Sequence, residues 1–423
     1  MAWSSRHKAG IGRLSSVWGE FVMILGGQWD GHPALVAHAD GHLEVFAVGQ
    51  DGLLYGKPQA GPGGPFDEVW LPVGTGGPAD SDRPSFDPST TRVGYTVEPS
   101  GVMTIFARST AGRVVYTYLT PREGWSRWRT IPTGDAVLGN PVAPGRLCSA
   151  PPFLLLRRTT GDLVYGARAD LDDPEGWDAV RWTNLSGAHT RHTSVGVSET
   201  RPHGGLEIVL FAIGPGRDVW THCPQLDTLR PTSTAASSYD GRLPGIATQR
   251  SGAHVAGRLV PVSASSAVWR GENGSIWHAV MRAPGILGDV RDLGFAVVGD
   301  PATASSSGSA WIAGRTEAGH ISVWRRRSGR EWEPVTCTEA DSAEPAASDP
   351  ALAVGADGLA DVVFVGRDRR IHHLRQACGF APARRAHRPT VPPTRTRRVR
   401  LPVALRTCSH RRLRSRSASA TRR

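Results

Sequence analysis

Residues 33–59 read PALVAHADGHLEVFAVGQDGLLYGKPQ, and after a Gly-Pro-rich turn residues 66–74 read FDEVWLPVG. Every apolar piece is of strand length and ends at a turn residue. Leu43, Val45 and Ala47 alternate with Glu44, Phe46 and Val48, a period of two, and Gln50-Asp51-Gly52 has the composition of a hairpin turn. The stretch predicts a unit of four strands: a first strand, a hairpin of two, and a Trp-bearing outer strand.

The turn and the strand after it recur along the chain. FAVGQDGLLY at Phe46 is followed by FARSTAGRVVY at Phe106, LLRRTTGDLVY at Leu155, FAIGPGRDVW at Phe211, VWRGENGSIWH at Val268, AGRTEAGHISV at Ala313 and FVGRDRRIHH at Phe364. The position of Gly52 becomes Gly112, Gly161, Arg217, Gly274, Gly319 and Arg369, a mean period of about 53 residues that suits propeller blades and not helical solenoids. Glycine fits a turn that needs positive φ, and the two Arg copies are expected to use another turn type. Pro33, Pro84, Pro141, Pro301 and Pro350 are read as opening first strands, where a missing amide donor costs little. GWSRWRTIP, GWDAVRWTNL and REWEPVT supply further Trp-bearing outer strands. With 50 Gly and 32 Pro working against long helices, the expected fold is all-β: a seven-bladed β-propeller of four-stranded blades over residues 14–380.

The ends make a consistency check. WGEFVMILGG at 18–27 resembles an outer strand that precedes the first full unit, while the seventh unit lacks one after Gln376. Pairing the N-terminal strand into the last blade would close the ring and remove two open sheet edges. Residues 1–13 are expected to be a disordered N-terminus. Residues 381–423 hold fourteen Arg and no acid, so they read as a disordered Arg/Pro/Ser-rich tail, and they leave the remainder at −3 against +11 for the whole chain. That distribution, with Lys8 and Lys57 the only lysines, argues against a specific nucleic-acid partner. Cys148, Cys223, Cys337, Cys378 and Cys408 show no metal-ligand spacing and read as free thiols. No cofactor is expected. The N-terminus is a poor signal peptide and no apolar run is long enough for membrane insertion, which points to the cytoplasm or to release by a non-signal route.

The strings ADGHLEVFAVGQDGLLY, GNPV, SDPALAVGADG and GWSRW resemble the seven-bladed propeller lectins typified by the Photorhabdus fucose-binding lectin, and related bacterial propeller repeats, over about residues 14–378. The resemblance implies non-catalytic recognition of fucosylated or O-methylated glycans, without metal, in shallow clefts between blades. It also leaves room for a homo-oligomer. A sugar offers a C–H face to an aromatic ring and hydroxyls to polar groups. The fifth unit supplies such a set in Trp269, Arg270, Glu272, Trp277 and His278; the second in Arg108, Trp125 and Trp128; the third in Arg157 and Trp177. Those Trp equally suit blade-to-blade packing, and the Arg equally suit edge charges. The family's aromatic three residues after the turn is kept as Tyr55, Trp220 and Trp277 but is Val115, Val164, Ser322 and His372 elsewhere.

Two other functions stand beside the lectin. A protein-binding scaffold is compatible with any propeller. A glycoside hydrolase would need a clustered carboxylate pair, whereas carboxylates such as Asp40, Asp51 and Asp357 fall in turns, and the irregular segment Pro224–Gly252 is the one long insertion.

Overall fold

The computed structural model describes residues 18–376 apart from 75–82, 147–151, 169, 171–172, 185–194, 201–206, 214–216, 218, 223–252, 264–265, 284–285, 307 and 336–343. The tail, the N-terminal thirteen residues, the Pro224–Gly252 insertion and all five cysteines lie outside the described residues. Contacts divide the chain at Gly379/Phe380.

The first unit is an all-β propeller whose sheets are numbered here in chain order. Sheet 1 runs Ala34–Ala37, Leu43–Val48, Leu54–Pro58, Leu71–Pro72 from inside to outside. Sheet 2 has Gly94–Val97, Met103–Arg108 and Val114–Thr120, with its outer strand broken into Gly124–Trp125 and Arg129–Thr130 and a short parallel strand, Gly145–Arg146, on its inner side. Sheet 3 comprises Val137–Val142, Phe153–Arg158, Leu163–Ala167 and Arg181–Asn184. Sheet 4 has Val195–Thr200, Glu207–Ile213 and Val219–His222. Sheet 5 comprises Val255–Ser263, Ser266–Gly271, Ser275–Ala283 and Ile286–Ala296. Sheet 6 has Val298–Ser306, Ser309–Arg315, Ile321–Arg327 and Glu333–Val335. Sheet 7 takes Ala351–Val354, Ala360–Val365 and Ile371–Gln376 and is completed by Trp18–Ile24, with Ile24 opposite His372 and Met23 opposite His373. The N-terminal strand therefore closes the last blade. Six blades of at least four strands are described rather than the expected seven: sheet 4 shows three, and the chain after His222, where its outer strand would fall, is not described.

Blades are sandwiched between neighbours, which explains why Leu43–Val48 and Ala360–Val365 are buried at every residue and not on one face alone. Apolar clusters of described residues fill six of the gaps between consecutive sheets. Val36, Phe46, Val97 and Ile105 join sheets 1 and 2; Phe106, Tyr116, Leu154 and Trp177 join 2 and 3; Phe211, Val219, Val255 and Trp269 join 4 and 5. The series continues through Val268 and Ile312, Trp311 and Val362, and Leu35 and Val363.

The repeated turn also stitches blade to blade. Its carbonyl accepts from the incoming segment of the next sheet at Phe86 N to Gly52 O, Val255 N to Arg217 O, Val297 N to Gly274 O, Ala346 N to Gly319 O and Trp29 N to Arg369 O, all 2.8–2.9 Å. All seven turn positions have positive φ, Arg217 at 61° and Arg369 at 63° included. The expectation of a different turn type at the two Arg copies is thus corrected: the stitch demands the left-handed conformation, and the backbone strain of a non-Gly residue is accepted there. Pro84 is likewise corrected, since it lies ten residues upstream of Gly94–Val97; Pro33 and Pro350 immediately precede their strands, while Pro141 and Pro301 lie inside irregular first strands.

Close approach of sheets 1 and 2 is testable at Gly31. A Cβ there would stand 1.7 Å from the Pro88 carbonyl oxygen, a backbone atom that cannot swing aside. Gly31→Ala is expected to cost about 2 kcal/mol, in the range of overpacked sites, read as a lowered urea midpoint. An unchanged midpoint would mean that the two segments do not meet.

Candidate functional site

Where the third strand of one blade meets the loop before the outer strand of the next, two clefts repeat the same construction. In sheet 2, Arg129 lies opposite Tyr116 in the strand register; in sheet 5, Arg291 lies opposite His278. Each cross-strand pair faces an acidic, Trp-bearing segment of the following blade: Glu175, Trp177 and Asp178 around the 3₁₀ turn Gly176–Ala179 in sheet 3, and Glu331 with Trp332 before the outer strand of sheet 6.

In the cleft between sheets 2 and 3, Arg129 Nη2 lies 2.6 Å from Glu175 Oε1 and Nη1 lies 3.4 Å from Asp178 Oδ2. Tyr118 donates to Glu175 Oε1 at 2.8 Å, and Tyr116 donates to Asp178 Oδ1 and to the Glu175 carbonyl, both at 3.0 Å. Burial, then Glu175, pushes Tyr118 up to about 12, and burial with Asp178 pushes Tyr116 further, so both phenols remain donors at neutral pH. Asp178 is exposed and Arg129 and Glu175 are half-buried at the rim, while Tyr116 forms a buried floor. The guanidinium and carboxylates keep unused N–H donors and lone pairs for a polar ligand.

In the cleft between sheets 5 and 6, the Arg326 guanidinium sits 5.1 Å over the Trp332 ring and its Nη1 is 3.4 Å from His278 Nε2; the His278 and Trp332 rings meet edge to face at 5.7 Å. Burial first, then Arg326 and Arg291, lowers His278 to about 4, so the imidazole is neutral. Arg291 reaches toward Glu331 at 3.6 Å. The indole N–H of Trp332 is buried without an acceptor among the described residues.

The residues named from the sequence separate into groups. Trp177 and Trp269 have no solvent-accessible surface: Trp177 packs edge to face on Phe106 at 4.8 Å, and Trp269 Nε1 donates to Ala253 O at 2.8 Å. Their assignment as ligand contacts is corrected, because an external sugar cannot reach a ring enclosed between two blades. Trp277, also buried, donates to Asn273 Oδ1 at 3.1 Å. Trp125 and Trp128 are half-buried, set against Phe46 and Phe86, with Trp128 Nε1 donating to Val73 O at 2.9 Å. Arg108 Nε and Arg270 Nε donate to the carbonyls of Val137 and Gly299 in the next blades, at 2.8 and 2.9 Å. Arg157 is half-buried, with its pKa lowered by burial. Glu272 is exposed and pairs with Arg217 at 2.7 Å. His278 enters one of the two repeated clefts as a polar floor, while Trp177, carried on the segment that faces the other, is sealed from it.

Tyr118, Arg129, Glu175, Asp178, Arg291, Arg326, Glu331 and Trp332 were not anticipated. The Glu-Gly-Trp and Glu-Trp pairs at 175–177 and 331–332 were visible beside the outer strands, but the partners they meet across a blade boundary were not. Among the described residues no group of His, Cys, Asp and Glu is arranged to hold a metal ion, and no helix is long and apolar enough to cross a membrane.

No family model and no curated protein matches the chain. Among solved structures it is similar to the fucose-specific lectin from Aleuria aurantia, at 12% identity and a TM-score of 0.42 over 73% of this chain and 96% of that one. The SapL1 lectin in complex with alpha methyl fucoside is 7% identical, with a TM-score of 0.41 over 81% and 90% of the two chains, and a chain of the mitotic checkpoint complex is 10% identical, with a TM-score of 0.46 over 89% and 99%.

Proposed function

We propose that this propeller is a non-catalytic carbohydrate-binding protein that takes monosaccharide units in its inter-blade clefts, with fucose-like or O-methylated sugars as the favoured class, on a ring of seven blades. One observation carries the reading: the pairs Tyr116–Arg129 and His278–Arg291 occupy the same register in two blades, and in each the Arg faces a Glu of the next blade, Glu175 or Glu331, at the cleft rim. Such a set offers charge-assisted bonds to vicinal hydroxyls without large rearrangement, because the mutual ion pairs already hold the side chains in place. The rims are shallow, so each site is expected to be weak, on the order of millimolar, with several clefts providing avidity.

A glycan array with competition by free fucose tests it. Monosaccharide-inhibitable binding is expected, and Arg129→Ala combined with Arg326→Ala should reduce it at least tenfold, about 1.4 kcal/mol, while the urea midpoint stays nearly constant. Silence on the array with retained capture of a protein partner would replace the lectin with a scaffold. Turnover of a chromogenic glycoside would replace it with a hydrolase.

A further inference from the structure

Arg92, in the segment leading into sheet 2, reaches Asp349 Oδ2 at 2.6 Å and Asp300 Oδ2 at 3.3 Å, although those aspartates belong to sheets 7 and 6. Sheets that are not neighbours can touch only across the ring axis, so these residues mark one mouth of the central channel. Around them stand His32 from the segment before sheet 1, with Nδ1 3.4 Å from the Asp349 amide; Arg258 on the innermost strand of sheet 5, its amide 2.8 Å from Asp300 Oδ1; and Arg315 of sheet 6, with Nη2 3.8 Å from Asp349 Oδ1.

The charges do not balance. Arg92 and Arg315 account for the two carboxylates, which leaves the Arg258 guanidinium without an ion pair among the described residues, repelled by Arg92 and attracted by Asp300 and Asp349 only from beyond ion-pair distance. Burial followed by that repulsion lowers Arg258 to about 10, and burial with Arg92 lowers His32 to about 4, so the imidazole is neutral, adds no positive charge to the cluster and accepts the Asp349 N–H. Arg258 is itself half-buried, so water screens its surplus charge only in part and an anion can take the place of that water. The site is not sealed: the side chains of Arg92, His32 and Arg315 keep 21–25% of their surface.

We propose that this channel mouth binds a small oxyanion, a carboxylate or phosphate group, on the Arg258 guanidinium assisted by Arg92 and Arg315. A planar fork presents parallel N–H donors to two oxygens of either group, and the anion restores neutrality without displacing Asp300 or Asp349. The site is separate from the inter-blade clefts and does not depend on what they bind.

The full chain is titrated by calorimetry with sodium phosphate and, separately, sodium acetate at constant ionic strength in chloride, at pH 7.5, for the wild type, Arg258→Met and Arg258→Lys. Saturable binding with a raised melting temperature is expected for at least one of the two anions, at least tenfold weaker in Arg258→Met and within a few-fold of wild type in Arg258→Lys. In chloride alone Arg258→Met should melt no lower than wild type, because it removes an uncompensated charge and keeps most of the stem. Absence of binding by both anions overturns the proposal. So does unchanged binding in Arg258→Met, which would show an adventitious ion only, held by the Arg-rich tail. A clear loss of stability of Arg258→Met in chloride overturns it as well, since Arg258 would then already be compensated inside the ring.

Discussion

Trp269→Ala is expected to destabilise the propeller by about 3–5 kcal/mol, the cost typical of emptying a fully enclosed aromatic site. Two terms add. The ring is wholly enclosed among Phe211, Ile213, Val255, Leu259 and Trp277, so its removal leaves a cavity between sheets 4 and 5 that neighbours on two separate blades cannot both close. The indole N–H bonded to Ala253 O at 2.8 Å is also lost, which orphans a carbonyl in a segment already tied by the Val255 N to Arg217 O stitch. Urea unfolding of the purified variant reads the sum. Trp269→Phe restores most of the volume but not the hydrogen bond and should fall between the two. Unchanged stability in Trp269→Ala accompanied by lost glycan binding would show that the ring faces a ligand after all.

That contrast bears on what the sequence could reveal. The turn at Gly52 and its six counterparts was legible because one backbone conformation recurs at a near-constant interval, and even the departures at Arg217 and Arg369 obey it. The N-terminal strand was legible as well, since an outer strand without a blade at one end matches a blade without an outer strand at the other. Side-chain direction was not. Val268 and Trp269 are consecutive on one strand, point to opposite faces and are both wholly buried, because a blade packed on two sides has no polar face whose alternation would distinguish inside from outside. The cleft residues were hidden for another reason. Arg129 meets Glu175 across a blade boundary, and that meeting depends on blade twist and on the 3₁₀ turn at Gly176–Ala179, neither of which leaves a periodic trace. The axial cluster is the extreme case, with Arg92 and Asp349 brought together only by closure of the whole ring.

Acidification should weaken the fold well before the carboxylates dominate. His32 and His278 are both held at about 4, against 6.5 for an unperturbed imidazole, chiefly by burial. His32 faces Arg92 and Arg258 as well as Asp349 and Asp300; His278 faces Arg326 and Arg291. With folded-state values below unfolded ones, the unfolded chain binds more protons between pH 6.5 and 4, so stability is full above that window and declines as the pH falls through it. Each histidine should remove about 2 kcal/mol between pH 7 and pH 5, or roughly 4 kcal/mol together. Urea midpoints at pH 7.5, 6 and 5 measure the slope, and His32→Gln combined with His278→Gln should flatten it. A double variant as acid-sensitive as the wild type would place the responsible protons elsewhere. It would also remove the ground for treating either imidazole as neutral, in the inter-blade cleft as well as beside Asp349. The two single variants separate the sites: His278→Gln should spare phosphate binding at the axis and alter the Arg326–Trp332 cleft, whereas His32→Gln should do the reverse, because the two histidines share no charged neighbour.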